Sequence, residues 1–173
     1  MFHYYQPTKI HFGAGQLNEL GHVCRGYGKT CFLVTTPDAP LQPLYERVKK
    51  LLDAEGISVI HFDKVEPNPS VEIVEQGFAM LKEQPADFVL AVGGGSSIDT
   101  AKAIAFANGK ESIDWDHLFN EYSSPFAYYP SYSEKHLPLL SVPTTSGTGS
   151  QVTQAAVITR GKEKITFFHP DNF

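Results

Sequence analysis

The feature that most constrains this chain is the stretch from Asp87 to Asn108. There the apolar run DFVLAV (Asp87–Val92) passes directly into Gly93-Gly94-Gly95 and then into an alanine-rich segment, Ser97 to Asn108. A short, near-continuous apolar run reads as a strand buried on both faces, and the alanine-rich segment reads as a helix. A strand feeding a helix through a turn bare of side chains is half of a βαβ unit. The same alternation recurs along the chain. Lys29–Thr35 (KTCFLVT) predicts a strand and Leu41–Glu55 a helix, with Leu44, Val48, Leu51 and Leu52 on one face and Gly56 ending it. Ile57–Phe62 predicts a second strand. Ser70 is placed to cap a helix running to about Lys82, with Val71, Val74, Phe78 and Leu81 turned inward. Leu139–Val142 and Ala155–Thr159 predict further short strands. The fold class expected is therefore α/β, a Rossmann-like parallel sheet with helices on both faces.

One dinucleotide-sized domain, residues 1–173, accommodates all of this, with 109–137 as an irregular, aromatic-rich excursion. In that excursion Asp114–Phe119 predicts about one helical turn. Tyr122, Phe126, Tyr128, Tyr129 and Tyr132 follow, either tucked onto the body or serving a lid or a subunit contact. A net charge of −5 argues against a nucleic-acid partner. No segment approaches the roughly 20 apolar residues that span a bilayer, and no signal-like start is visible, so the expected location is cytoplasmic, without a membrane partner. Cys24 and Cys31, the two cysteines, are expected as buried free thiols.

Two turns carry the chemistry. Gly93-Gly94-Gly95-Ser96-Ser97 lets the backbone approach an anion closely, and the free amides of the following helix point at it. The spacing is G-x-G-x-x-I, so it lacks the third glycine of the dinucleotide fingerprint. Ser96 and Asp99 also match a capping box, which coexists with phosphate binding. The second turn, Pro143-Thr144-Thr145-Ser146-Gly147-Thr148-Gly149-Ser150, follows the strand ending at Val142. Its hydroxyls can donate to phosphate or ribose oxygens. Two such turns after two parallel strands suggest a ligand with two phosphates.

At these residues the chain resembles the iron-containing alcohol dehydrogenases, whose relatives include glycerol dehydrogenase and dehydroquinate synthase. GGGSSIDTAKAIA (Gly93–Ala105) and PTTSGTGSQVT (Pro143–Thr153) carry the likeness, supported by TKIHFGAGQLNEL (Thr8–Leu20) and Pro67-Asn68-Pro69. The resemblance implies a nicotinamide dinucleotide between an N-terminal α/β domain and a C-terminal helical domain that this chain does not contain. Gly94, Gly95, Ser96, Ser97 and Asp99 would lie around the pyrophosphate. Thr144, Thr145 and Thr153 would contact the ribose and nicotinamide portions, Thr148 would be a further cofactor contact, and Asn68 would lie near the adenosine. Lys164, or Lys162 in its place, would reach a ribose hydroxyl, the alternative for either being a solvated charge.

Three departures from the family pattern carry consequences. Thr36 stands where NAD-preferring members have an aspartate that would repel a 2′-phosphate, by about 4 kcal/mol for unit charges ~4 Å apart. Thr35 and Thr36 could even bond a phosphate, so NADP(H) is expected to be tolerated beside NAD(H), although Asp38 could fill the same space. Gln151 stands where glutamate is usual. The metal ligands of the family, an aspartate and three histidines, fall beyond the matched region. His3, His11, His22, His61, His117, His136 and His169 have no helix-face ligand spacing to replace them. A divalent metal, iron or zinc, is thus expected only in the full-length enzyme, where it would polarise the alcohol oxygen.

The activity implied is hydride transfer between a small alcohol and its aldehyde or ketone, with no catalytic residue in this stretch and little activity from it alone. Two other readings stay open. The chain could be a stand-alone nucleotide-binding or scaffolding module, although an isolated half would expose an apolar face and its abrupt end at Phe173 reads as truncation. Or the reaction could be that of a glycerol dehydrogenase or a dehydroquinate synthase-type lyase. The family also suggests a homo-oligomer.

Overall fold

The computed structural model describes residues 6–126 and 136–173. Its first helix, α1 (Leu20–Cys24), follows a 3-10 turn at Gln16–Glu19. The apolar runs then become β1 (Thr30–Val34), β2 (Ser58–Phe62), β3 (Phe88–Gly93) and β4 (Leu139–Pro143). They form one parallel sheet in the order β2-β1-β3-β4. Between them lie α2 (Gln42–Asp53), α3 (Val71–Glu83), α4 (Gly95–Ala107) and the short α5 (Trp115–Glu121).

Strand residues point alternately to opposite faces, so the sheet divides the core in two. Phe32 and Val34 of β1, with Val89 and Ala91 of β3, face α3 and α4 and pack with Val74, Leu81, Ile98 and Ile104. Cys31, Leu33, Phe88, Leu90 and Val92 face the other way, against Tyr45, Val48 and Leu52 of α2. Tyr45 is the largest of the fully buried side chains on that helix, a position the apolar pattern alone did not select. Both thiols are free and buried, and burial pushes Cys24 up to about 12.

Local signals explain most of the boundaries. Ser70 caps α3 by accepting from the Ile73 amide at 3.4 Å, as its position predicts. Gly77 lets α3 and α4 close together, since a Cβ there would come within 2.4 Å of the Ile104 side chain. The excursion is more ordered than one turn over 114–119. Asp114 caps α5 through the His117 amide, and Trp115, Leu118 and Phe119 are buried. Tyr122 packs edge-on against Phe106, whereas Phe126 is exposed. Tyr128, Tyr129 and Tyr132 lie outside the described residues.

The strand expected near Ala155 forms as β5 (Ala155–Arg160), but it pairs antiparallel with β6 (Glu163–Phe168) in a separate two-stranded sheet. Sequence reading had not assigned β6. Arg160 pairs with Glu163 across a two-residue turn, where Gly161 takes φ 63°, the conformation that tight hairpins demand. The hairpin packs across α4 and α3 and latches to the Pro-Asn-Pro element, the Thr159 amide donating to the Pro69 carbonyl at 2.8 Å.

Candidate functional site

In the strand order β2-β1-β3-β4, the chain leaves β1 in one direction and β3 in the other. The carboxyl ends of β1 and β3 therefore flank a crevice of the kind where open α/β sheets hold ligands. Gly93 closes β3, and α4 starts at once with Gly94 as its N-cap. Gly94 offers no side-chain cap, so the first amides of α4 are uncapped and carry the positive end of the helix dipole. The capping box expected from Ser96 and Asp99 does not form. The helix starts too early for it, which puts Ser96 inside the first turn, and Asp99 is engaged elsewhere.

The two turns meet. A Cβ on Gly94 would sit 3.1 Å from Thr145 Oγ1, and one on Gly95 would sit 3.5 Å from Thr148 Cβ. Both glycines thus keep a narrow gap between the phosphate-type turn and the hydroxyl-rich loop. Thr144 ties the loops through its amide, which donates to the Gly93 carbonyl at 2.9 Å. Ser97 is buried beneath the turn with its Oγ unpartnered, so its contribution toward a ligand would come from its backbone.

Beside the α4 N-terminus opens a cavity of ≈ 260 Å³. Asn68, Gly95, Ser96, Asp99, Thr159 and Lys164 line it, so four separate stretches of chain converge there. Asn68 reaches it by adopting φ 58°, a left-handed conformation that asparagine tolerates. Lys164 lies on β6, opposite Thr159, and is exposed. Thr153 stands outside the cavity with its hydroxyl turned to the Ser150 carbonyl.

Thr36 sits past the end of β1 and does not line this cavity. Its hydroxyl donates to Asp38 Oδ2 at 2.8 Å and is 2.9 Å from the Tyr45 hydroxyl, which therefore donates to it. A carboxylate thus stands at the tip of β1, on Asp38. Thr35, the second hydroxyl expected near a phosphate, is turned inward instead. It is fully buried, with its Oγ1 2.8 Å from His61 Nε2.

Lys102 is the residue that sequence reasoning missed. It is fully buried on α4 with Nζ 2.7, 2.7 and 2.6 Å from the carbonyls of Ser150, Thr153 and Ala155. Burial pushes its ammonium down to about 8, opposed by the charge of Asp99. Asp99 accepts from Ser150 Oγ at 2.5 Å and from the Val157 amide at 3.1 Å, while burial pushes its carboxyl up. The signal available in the sequence was a lone lysine three residues after an aspartate in an otherwise apolar helix.

A larger groove of ≈ 790 Å³ runs along β4, bordered by Ile10, Leu20, Val23, Leu139 and Val142. Size does not make it the better candidate, because none of the glycines or threonines of the two turns lines it; Pro143 alone of the second turn reaches it. Gln151 contributes a buried Oε1 without a partner. Among the described residues, no group of three or more His, Cys, Asp or Glu side chains is arranged to hold a metal ion. No helix among them is long and apolar enough to cross a membrane.

A family model described as iron-containing alcohol dehydrogenase matches residues 7–173. Among curated proteins, the probable NADH-dependent butanol dehydrogenase 2 of Bacillus subtilis is 37% identical over 172 residues, covering 99% of this chain and 42% of that protein. The choline dehydrogenase of the same organism is also 37% identical, over 96% of this chain and 40% of its own length. The crystal structure of NADH-dependent butanol dehydrogenase A from Thermotoga maritima superposes with a TM-score of 0.87 at 30% identity, covering all of this chain and 42% of that one. The chain thus spans about 40% of the length of these relatives.

Proposed function

Because the chain belongs to the iron-containing alcohol dehydrogenase family, we propose that it is the dinucleotide-binding part of an oxidoreductase that moves a hydride between a small alcohol and its aldehyde or ketone. Residues 1–173 act as one nucleotide-binding α/β unit in this reading, and whole-protein activity needs residues beyond those of this stretch. The observation that carries it is the convergence of Asn68, Gly95, Ser96 and Lys164 on one cavity at the uncapped N-terminus of α4.

The site fits a nicotinamide dinucleotide in three respects. The Gly94–Gly95 backbone is bare where side chains would fill the gap to Thr145 and Thr148. The uncapped amides of α4 suit a diphosphate. Lys164 brings a cation to the cavity wall. When bound, the nicotinamide supplies the hydride chemistry. The chain's own part is positioning. Amides of Gly95, Ser96 and Ser97 hold the diphosphate, Thr145 and Thr148 offer hydroxyls from the opposite side, and Lys164 faces a ribose oxygen. Among the described residues no set of three or more His, Cys, Asp or Glu side chains is placed to hold a metal by itself.

Cofactor choice turns on Asp38. Held by the Thr36 hydroxyl at the tip of β1, its carboxylate restores part of the repulsion that Thr36 by itself lacks. Asp38 is exposed, so solvent and salt reduce that repulsion, to about 1 kcal/mol or roughly fivefold in affinity. NADH binds more tightly, and NADPH is still admitted. The buried free thiols suit a reducing, cytoplasmic setting.

Titrating the protein with NADH while following nicotinamide fluorescence tests the reading. Saturable one-to-one binding is expected, together with alcohol-dependent NADH formation by the whole enzyme. A chain that leaves the fluorescence of either reduced dinucleotide unchanged would overturn it.

A further inference from the structure

We propose that Asp99 and Lys102 are positioning residues: from one flank of α4 they grip the 150–157 segment and thereby hold the Thr145–Thr148 wall against the phosphate turn. The inference rests on the dinucleotide reading above and deepens it.

The geometry is complementary at every atom. The 3-10 turn Ser150–Val152 and the bend into β5 leave the carbonyls of Ser150, Thr153 and Ala155 facing α4, and Lys102 donates one hydrogen bond to each. An ammonium has three hydrogens, so its donors are used up and none is left for a ligand. One turn earlier, Asp99 takes the donors of the same segment, with Oδ1 accepting from Ser150 Oγ and Oδ2 from the Val157 amide. One helix face thus satisfies both the acceptors and the donors of a strap that has no regular structure between Thr153 and Ala155.

The strap borders the site on both sides. Upstream lies the exposed loop whose Thr145 and Thr148 face Gly94 and Gly95. Downstream, β5 leads to Val157 and Thr159, which line the cavity with Asp99, and through the hairpin to Lys164. Thr145 to Thr148 have few bonds of their own. Their position is therefore inherited from Thr144, bonded to Gly93, and from Ser150, bonded to Asp99.

The test measures both the dissociation constant and the binding stoichiometry for NADH in the wild-type chain, Lys102→Met, Asp99→Asn and Ser150→Ala. Ser150→Ala removes a single hydroxyl and keeps the fold, so it serves if Lys102→Met does not fold. A positioning role raises the dissociation constant about fivefold in Ser150→Ala and Asp99→Asn, and about thirtyfold in Lys102→Met, with one site per chain retained. A purely structural role would leave the constant unchanged and lower the number of competent sites. Wild-type binding matched within twofold by Ser150→Ala and Asp99→Asn overturns this inference alone. Absence of NADH binding by the wild-type chain overturns the dinucleotide reading instead.

Discussion

The two turns that face each other across the site are built on opposite plans. Gly93–Ser97 is secured from within: β3 is buried along its length, and every residue of α4 from Ser97 to Ala107 except Asp99 is buried. The loop Thr145–Thr148 is exposed throughout, with glycines at φ 83° and 68° at positions 147 and 149, and its fixed points lie at its ends. A phosphate turn can therefore be encoded locally, by a strand, three glycines and a helix. The facing wall is encoded at a distance, by Asp99 and Lys102 some fifty residues earlier.

The largest expected effect breaks the distant anchor. Lys102→Met leaves three inward carbonyls and Asp99 without their cation, and should cost about 3–5 kcal/mol. A thermal melt is expected to fall by roughly 10 °C, whereas an exposed lysine such as Lys50 changed to methionine should shift it by less than about 2 °C. Next, filling the local turn should affect binding more than stability. Gly94→Val would push methyls toward Thr145, already 3.1 Å from a Cβ, and weaken NADH about a hundredfold, or ~2.7 kcal/mol, in a fluorescence titration.

Acid should separate the two regions. The hairpin's far end is fastened to Gln154 by the His169 amide at 3.1 Å and by Asn172 Nδ2 at 3.0 Å. Burial, with His136 and Lys110 nearby, holds the His169 imidazole down at about 3, from an ordinary value of 6.5. The unfolded chain thus takes up a proton below pH 6.5 that the folded chain refuses until about 3. The stability tied to this group is complete above 6.5 and is lost as pH falls through that window. Amide protection factors, corrected for the slower intrinsic exchange in acid, should fall at pH 5 in β5 and β6 before they do in β3 and α4, and His169→Phe should flatten that difference.

Smaller effects refine the cofactor's share. Asp38→Asn is expected to narrow the gap between NADH and NADPH by about three- to tenfold in paired titrations. Thr145→Ala or Thr148→Ala should weaken NADH about threefold, the worth of one exposed hydroxyl bond.

The parallel core was legible because its signals are local. Apolar runs marked β1 to β4 within a residue or two, Ser70 marked the start of α3, and the glycines marked the phosphate turn. What escaped depended on contacts distant in sequence. The antiparallel partner β6 reads as charged and aromatic, EKITFF, and takes its strand form from pairing with β5. Lys102 looked like one more residue of a helix-forming run, because the carbonyls that need it come 48 to 53 residues later. The Ser96–Asp99 capping box fits the spacing of a cap, but Asp99 gains more from a serine hydroxyl and a strand amide. Likewise, Thr36 marked the end of β1, while its bond to Asp38 follows from how the chain turns there.

The most direct measurement of where the cofactor's phosphates sit is the change in backbone amide chemical shifts as NADH is added. With the diphosphate on the α4 N-terminus, the largest changes fall on Gly95, Ser96 and Ser97, with Thr145 and Thr148 close behind. Changes confined to the groove along β4, around Leu139 to Val142, with the α4 amides unmoved, would contradict the account.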